Sequence, residues 1–200
     1  MRYIVYGKRF GGEHLDIREF ITPNTPSVQE AIAELLKEGD PVWLCWDWVC
    51  KNVQYPPICA GAQDYHEKIS FLSANPILRT PVKHSRQLHD FWELPWEVLD
   101  PPRYGDCEGS SVVLVSMLRN FLSTKDVYCA VGTYQGHGHA WVSVNDVVKW
   151  YTLDTTISKA KPNRFGDVIE EDPYIPYIRF NDQDVIVERD GWQDFLNFHT

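Results

Sequence analysis

The sequence predicts an α+β fold, in which helices come first and an antiparallel sheet follows. Two observations favour this class. Helix-capping and helix-ending residues recur through the first 122 positions, and short strand-like runs separated by turn residues follow from position 126. A chain of 200 residues has the size of one globular domain. We therefore expect a single domain over 1–200, with a mainly helical part over 1–100 and a central helix plus the sheet over 101–200.

The beginning of the chain contains signals for a short strand and a helix. Residues 2–6 predict the strand. Ser27, followed three positions later by Glu30, is typical of a capping box, and Gly39 is typical of a helix end. A helix is therefore expected over 28–38.

A second helix is predicted directly after this one. Asp40 is a good N-cap and Pro41 suits the first turn. Residues 42–52 are apolar on nearly every side, which predicts a buried helix. Further helices are predicted over 64–72, 85–94 and 96–99. Pro101 and Pro102 then predict an extended approach to the next segment.

The second part of the chain begins with a buried helix and continues as strands. Asp106 is typical of an N-cap, and from Cys107 onward apolar side chains occupy nearly every face, as a central helix requires. Strand-like runs span 126–134, 138–144, 148–153, 174–180 and 184–188. We expect the last two runs to form a hairpin across Asn181 and Asp182.

Composition and charge argue against several classes of function. The formal net charge is −9, from 19 basic and 28 acidic residues, so we expect no nucleic-acid and no membrane partner. No stretch approaches the ~20 apolar residues that span a bilayer, and residues 1–14 lack the long apolar region of a secretory signal. The five cysteines have scattered spacings, which favours reduced thiols and a cytoplasmic protein. Nine acidic residues against two arginines in 165–200 predict a solvated acidic face.

Three polar residues lie where local structure would present them together. Cys107 begins the buried helix, His139 begins a strand, and Asp154 ends the next strand. If these strands pair as a hairpin, His139 and Asp154 approach one another at its open end, and the helix N-terminus packs Cys107 against His139. The set then supplies a nucleophile, a base and an orienting carboxylate, in the chain order Cys, His, Asp.

The chemistry of this set suits attack of a thiol on a carbonyl carbon. A helix N-terminus stabilises a thiolate, and an adjacent imidazolium does so more strongly. Asp154 would hold the imidazole tautomer and support its positive charge. Asp106 and Glu108 oppose this arrangement because nearby carboxylates raise a thiol pKa, so we expect pairing with His139 to dominate or both carboxylates to point away. The backbone N–H of Cys107 supplies one half of an oxyanion hole.

Three blocks around these residues resemble the transglutaminase-like cysteine-enzyme superfamily. The blocks are GDCEGSSVVLVSMLR, GHAWVSV and WYTLDTT. The likeness extends to microbial and phage-type members through WDWVCKNVQYPP and FWELPWEVLDPPRYGDC, so it covers about residues 42–156. The resemblance implies a papain-like core, in which a nucleophile-bearing central helix packs on an antiparallel sheet. It also implies a catalytic triad of Cys107, His139 and Asp154.

The chain departs from the superfamily pattern at a few positions. Thr155 stands where many members have proline, and Gly109 and Ser110 replace commoner acidic and bulkier residues. None of these changes removes a catalytic group. No motif identifies the second oxyanion donor, and Trp96 and Tyr104 are neighbours worth testing.

The resemblance implies a cysteine-dependent acyl-transfer enzyme that hydrolyses a peptide or isopeptide amide bond through a thioester. It implies no cofactor, and a peptide or protein as substrate. Two other functions stay open. One is transfer of the acyl group to an amine, as in protein-glutamine cross-linking, and the other is a non-catalytic binding module with the same fold. Water and an amine would use the same triad, so the sequence does not choose between hydrolysis and transfer.

A metal site is a further alternative. His137 and His139 lie two positions apart and face the same side of a strand, and Cys107, Cys129 or Asp154 would complete the ligand set. No second Cys/His pair has metal-ligand spacing, and His139 directly precedes the AWV block. We therefore expect no metal and place His137 at the rim of the site. The other residues expected in the core are Cys45, Cys50, Cys59, Cys129, Trp141 and Trp150.

Overall fold

The computed structural model describes residues 1–5, 14–35, 39–55, 92–145, 150–156 and 174–188, together with 191, 193 and 195. The predicted helix over 64–72, residues 85–91 of the next predicted helix, and Cys59 lie outside the described residues. Helices combined with an antiparallel sheet confirm the α+β class. Within the described ranges, no helix has the length and apolar character needed to cross a membrane.

A two-stranded antiparallel ribbon lies near the N-terminus. It consists of β1 (Ile4–Val5), inside the predicted strand, and β2 (Leu15–Asp16), which was not predicted. A short 3-10 helix over Ile17–Phe20 follows and is capped by the side chain of Asp16. This ribbon anchors the start of the chain to the rest of the fold.

The main sheet has five antiparallel strands in the order β5-β4-β3-β6-β7. The strands are β3 (Val127–Tyr134), β4 (His137–Asn145), β5 (Trp150–Leu153), β6 (Tyr174–Phe180) and β7 (Val185–Val187). Each agrees with a predicted run to within two residues at either end. The hairpin across Asn181 and Asp182 is also confirmed.

The structure gives the bounds of four α-helices in the described part of the chain. They are α1 (Pro26–Ala33), α2 (Pro41–Asn52), α3 (Pro95–Leu99) and α4 (Cys107–Leu118). The capping box predicted at Ser27 and Glu30 is wrong, because Thr25 is the N-cap and Pro26 the first helical residue. Proline already has a helical backbone angle and needs no hydrogen-bonded N–H in the first turn, so it starts the helix. The helix ends at Ala33, short of the predicted end.

The predicted start of α2 is confirmed. The Asp40 side chain accepts a hydrogen bond from the Val42 N–H at 2.9 Å, and Pro41 is the first helical residue. The buried residues of this helix are Cys45, Trp46, Trp48 and Val49. Its apolar composition is therefore used for packing in the core.

The approach to α4 differs from the prediction in two ways. Residues 92–94 are not helical, because the residue before Pro95 is excluded from helical angles and takes an extended conformation. The two prolines after Asp100 form a turn instead of an extended segment, and the Arg103 N–H closes it by donating to the Asp100 carbonyl at 2.9 Å.

The central position of α4 agrees with its all-round apolar pattern. Eleven of its twelve residues are buried, and the helix packs against α1, α2 and α3 as well as β3 and β4. A helix with neighbours on every side needs apolar side chains on every side. The N-terminus of α4 is consequently held between the helices and the sheet.

Strand β6 approaches β3 unusually closely at Gly132. The register of the two strands shifts between Val131 and Gly132. A Cβ added at Gly132 would lie 2.0 Å from the carbonyl oxygen of Ile175, so only glycine fits. Because Gly132 pairs with His139 on its other side, this contact brings the start of β6 close to the start of β4.

Candidate active site

The first turn of α4 presents Cys107 at a capped helix end. Asp106 is the N-cap, and its Oδ1 accepts a hydrogen bond from the Gly109 N–H at 3.0 Å. Cys107 is the first helical residue, so its own N–H lies ahead of the hydrogen-bond ladder of the helix. The positive end of the helix dipole is therefore directed at this residue.

His139 and Asp154 meet at the end of the β4–β5 strand pair. In the register of these strands Val142 lies opposite Leu153, so Asp154 follows directly after β5 and beside the start of β4. His139 Nε2 lies 2.6 Å from Asp154 Oδ2, and the two residues are only 8% and 2% exposed. A carboxylate can only accept a hydrogen bond, so Nε2 carries the proton and Nδ1 is left as the basic nitrogen.

The Asp154 carboxylate is held by several donors besides the imidazole. Oδ1 accepts from Thr156, from its N–H at 2.8 Å and from its hydroxyl at 3.0 Å. Oδ2 accepts from the Tyr174 hydroxyl at 2.9 Å. The main-chain carbonyl of Asp154 accepts from the indole N–H of Trp46 on α2 at 2.9 Å. The orientation of the carboxylate is thus determined by residues from three separate parts of the chain.

A buried hydrogen bond joins the first turn of α4 to the loop that contains Asp154. Ser110 Oγ lies 2.6 Å from Thr155 Oγ1, and the Cys50 thiol donates to the Thr155 carbonyl at 3.8 Å. Ser110 and Thr155 are two of the positions where the sequence departs from the superfamily pattern. The third, Gly109, makes room for a buried carboxylate, because a Cβ there would lie 2.6 Å from Glu93 Oε2. The three departures therefore have local structural causes.

The sulfur of Cys107 lies against the start of β4. It accepts a hydrogen bond from the backbone N–H of Ala140, the residue after His139. The thiol donates to Glu108 Oε2 at 3.0 Å. Of the three candidate side chains, the structure thus joins His139 and Asp154 directly and brings the Cys107 sulfur to the backbone next to His139.

The electrostatic surroundings of Cys107 oppose its ionisation. Burial, followed by the negative charges of Glu108 and Asp106, raises the pKa of the thiol well above its ordinary range, and the Ala140 N–H only partly offsets this. The expectation that both carboxylates point away is wrong for Glu108, whose carboxylate contacts the thiol. The same expectation fits Asp106 better, because the Asp106 side chain turns back to cap the helix.

Sequence reasoning missed one tyrosine next to Cys107. Tyr55 follows Gln54, which pairs with Tyr104 in a parallel bridge immediately before the first turn of α4. Burial and the negative charges at Cys107, Asp106 and Glu108 raise the pKa of the Tyr55 hydroxyl. The sequence signal for Tyr55 was its position in the segment WDWVCKNVQYPP, which resembles the helix-then-tyrosine stretch of the superfamily.

The proposed oxyanion donors Trp96 and Tyr104 both lie on the approach to α4. Trp96 is on α3 and is 48% exposed, whereas Tyr104 is partly buried in its bridge to Gln54. Trp46 and Tyr174, which bind Asp154, had no local sequence signal, because each lies in an ordinary apolar or strand-like run far from Asp154 in sequence.

Of the five described cysteines and tryptophans that were predicted for the core, three are buried. Cys45 and Cys129 are buried, Cys50 is partly buried, and all three are free thiols. Burial raises the pKa of Cys45 to about 12. Trp141 is buried, but the prediction of a core position for Trp150 is wrong. Its ring is 40% exposed on the edge strand β5, where it packs beside Tyr128.

The two histidines of the HGH sequence lie in different environments. His137 is exposed at the first position of β4, while His139 is buried. In the described ranges, no group of three or more His, Cys, Asp or Glu side chains is arranged to hold a metal ion. The His139 side chain is hydrogen-bonded to Asp154.

Comparison with known proteins shows that this chain is similar in fold to solved structures. No family model matches the sequence, and no curated protein matches it. The EGTA-treated structure of Legionella pneumophila LapG matches with a TM-score of 0.50 and 13% identity over 87% of each chain. The calcium-bound LapG structure has a TM-score of 0.42 and 14% identity, over 88% of this chain and 98% of that one. LapG has the transglutaminase-like, papain-like fold, and the first similarity supports the same fold for this chain.

Proposed function

We propose that this protein is a cysteine-dependent acyl-transfer enzyme that hydrolyses a peptide or isopeptide amide bond. In this proposal Cys107 is the nucleophile, His139 the base and Asp154 the orienting carboxylate. The observation that carries it is the buried 2.6 Å hydrogen bond between His139 and Asp154, next to the strand residue that contacts the Cys107 sulfur. The similarity of fold to LapG supports the superfamily resemblance from which this proposal takes its peptide chemistry.

The first step forms a bond between the Cys107 sulfur and the carbonyl carbon of the substrate. Because the pKa of the thiol is raised, the thiol enters the reaction protonated, and its proton passes to His139 Nδ1 as the bond forms. The carbonyl electrons move to oxygen, where the backbone N–H of Cys107 stabilises the negative charge. Asp154 supports the imidazolium through Nε2.

The second step breaks the carbon–nitrogen bond and leaves a thioester. The imidazolium returns its proton to the leaving amine. In the third step water attacks the thioester carbon and loses a proton to the imidazole, the carbon–sulfur bond breaks, and the departing sulfur takes that proton back. An amine in place of water would give transamidation with the same residues, so product analysis has to separate hydrolysis from transfer.

The test uses a set of peptide and glutamine amides with hydroxylamine, which captures a thioester as a hydroxamate. We expect the wild-type protein to release amine and form hydroxamate, and Cys107→Ala to do neither. His139→Ala should lower kcat/KM by ~10²–10⁴-fold, the usual contribution of a positioned base. His137→Ala is the matched control, because this exposed histidine lies two residues away, and its activity should equal that of the wild type.

Two results would change the proposal. Full turnover by Cys107→Ala would end the cysteine mechanism. Amide product that rises at the expense of acid when a primary amine is added would identify an acyltransferase instead of a hydrolase.

The substrate is proposed to be a peptide or protein, and the compartment is proposed to be the cytoplasm. The four described cysteines are free thiols, which supports a reducing environment. Cell fractionation with an antibody to this chain tests this assignment.

A further inference from the structure

One oxygen of the Asp154 carboxylate accepts two hydrogen bonds that have different consequences for the imidazole. Oδ2 accepts from His139 Nε2 at 2.6 Å and from the Tyr174 hydroxyl at 2.9 Å. Oδ1 accepts from Thr156, from the N–H at 2.8 Å and the hydroxyl at 3.0 Å. Each additional donor reduces the negative charge that an oxygen offers to the others. Tyr174 and His139 therefore compete for the same oxygen.

The position of Tyr174 is determined by the sheet. It is the first residue of β6 and pairs with Tyr134 on β3, and the close approach at Gly132 brings this end of β6 toward the start of β4. Its ring lies 5.1 Å from Trp141 and 6.2 Å from His139, measured between centroids. The ring is thus held by packing against aromatic neighbours, and its hydroxyl lies within hydrogen-bond distance of Asp154.

We propose that Tyr174 is a positioning residue for the acyl-transfer reaction, because its hydroxyl shares Asp154 Oδ2 with the imidazole and limits the strength of the His139–Asp154 hydrogen bond. This inference rests on the proposed function, since it assigns a role within the same site. Tyr174 lies 20 residues from Asp154 in sequence and would act on the imidazole through the Asp154 carboxylate.

The expected effect of removing this hydroxyl follows from the other contacts of Asp154. In Tyr174→Phe the two bonds from Thr156 still hold the carboxylate, so it stays beside the imidazole. Oδ2 then has one donor fewer and attracts the Nε2 proton more strongly. An imidazolium held more strongly gives its proton to the leaving amine less readily, so the loss falls on kcat and not on KM.

The first experiment is proton NMR of the low-field Nε2–H resonance of His139 in the folded protein, which needs no substrate. Asp154→Asn assigns the resonance by shifting or removing it. We expect Tyr174→Phe to move it downfield, as a stronger hydrogen bond does. Tyr134→Phe is the matched control, because it loses a hydroxyl from the neighbouring ring, 5.8 Å from His139, and should leave the resonance in place. A resonance that stays in place or moves upfield in Tyr174→Phe would overturn the proposal.

The second experiment applies the hydroxamate assay to the same variants. We expect kcat of Tyr174→Phe to fall about tenfold with KM unchanged, because a more strongly held imidazolium returns its proton to the leaving amine more slowly. A change confined to KM would overturn the proposal. If the wild-type protein shows no turnover at all, the proposed function fails, while the NMR result still decides whether Tyr174 governs the His139–Asp154 pair. Thermal unfolding of both phenylalanine variants verifies that they are folded.

Discussion

Glu108 is the residue that most directly opposes the chemistry proposed for Cys107. It accepts a hydrogen bond from the thiol, and its charge adds to burial and to Asp106 in raising the thiol pKa. The thiolate, and not the thiol, is the strong nucleophile. In the proposed mechanism, the resting site therefore holds the cysteine in its less reactive form until His139 accepts its proton.

Replacing Glu108 should make Cys107 more reactive. In Glu108→Gln the side chain can still contact the thiol, but the negative charge is gone, so the thiol pKa falls from its raised value. The thiolate fraction at a given pH then increases. We expect the pH profile of iodoacetamide alkylation at Cys107, followed by mass spectrometry, to shift to lower pH, with faster alkylation at pH 8.

Two comparisons make this result specific. Asp106→Asn retains a helix cap and removes a charge with a smaller effect on the thiol, so its shift should have the same direction and a smaller size. Cys45, which is buried elsewhere, should be alkylated at the same slow rate in all three proteins. An unchanged or slower Cys107 profile in Glu108→Gln would contradict the electrostatic account.

At the level of single residues, the sequence could indicate the candidate site residues but not the side chains that contact them. Cys107, His139 and Asp154 stand in recognisable blocks at element ends, where local structure determines which way a side chain is presented. The contact with Glu108 depends on one side-chain rotation. The contact with Tyr174 depends on how closely β6 packs on β3. Neither is encoded in a local pattern.

Two elements of the site are joined by the hydrogen bond between Ser110 on α4 and Thr155 after β5. Both hydroxyls are buried, and they lie 2.6 Å apart. A buried hydroxyl that loses its partner costs about 1–3 kcal/mol. This bond therefore contributes to holding the helix that carries Cys107 against the loop that carries Asp154.

A double-mutant cycle measures this connection. In urea denaturation, Ser110→Ala should lower the free energy of unfolding by about 1–3 kcal/mol, because it leaves the buried Thr155 hydroxyl without this partner. Thr155→Val should lower it by less, because Ser110 Oγ still donates to the Asp106 carbonyl at 2.6 Å. The double variant should lose less than the sum, with a coupling of about 0.5–3 kcal/mol, because the second change removes an already broken bond. Thr152→Val on β5 is the control, and it should be additive with Ser110→Ala. Additivity between positions 110 and 155 would show that the bond makes no contribution.

Elements were easier to predict than their ends. The five strands followed from short runs between turn residues, and α2 and α4 from all-round apolar segments behind an aspartate cap. The start of α1 was misplaced because two capping signals overlap, and Pro26 determined the start instead of Ser27. The ribbon strand β2 was missed because two residues are too few for an alternating pattern.

Across the whole molecule, one hydrophobic core joins the N-terminal part to the sheet. It contains residues from each helix whose bounds are given above and from the sheet, among them Phe20, Trp46, Trp92, Leu114 and Phe180. Trp92 packs against both Phe20 and Phe180, so aromatic contacts connect the two parts of the chain. Such contacts between distant segments follow from the packing of whole elements, which is why the sequence predicted the fold class better than the contacts.

The N-terminal ribbon contains a charged contact that makes stability depend on pH. Asp16 accepts from the Tyr3 N–H at 3.0 Å and from Arg18 Nε at 2.8 Å. The Arg18 guanidinium, followed by smaller effects, lowers the pKa of Asp16 from 3.8 to about 2. Because the folded-state pKa lies below the unfolded value, this carboxylate stabilises the folded state above pH 3.8, and the contribution is lost as pH falls toward 2.

Asp16→Asn should therefore be less stable than the wild type at pH 7, by on the order of 2 kcal/mol. The difference should shrink between pH 4 and pH 2 and vanish below it, because the wild-type carboxyl is then protonated as well. Urea denaturation of both proteins at a series of pH values measures this. Asp47→Asn removes a partly exposed carboxylate that pairs with Lys51 along α2, so its effect should stay within about 0.5 kcal/mol at every pH. A difference for Asp16→Asn that persists unchanged at pH 2 would mean that the ribbon is held by its packing and not by this charge.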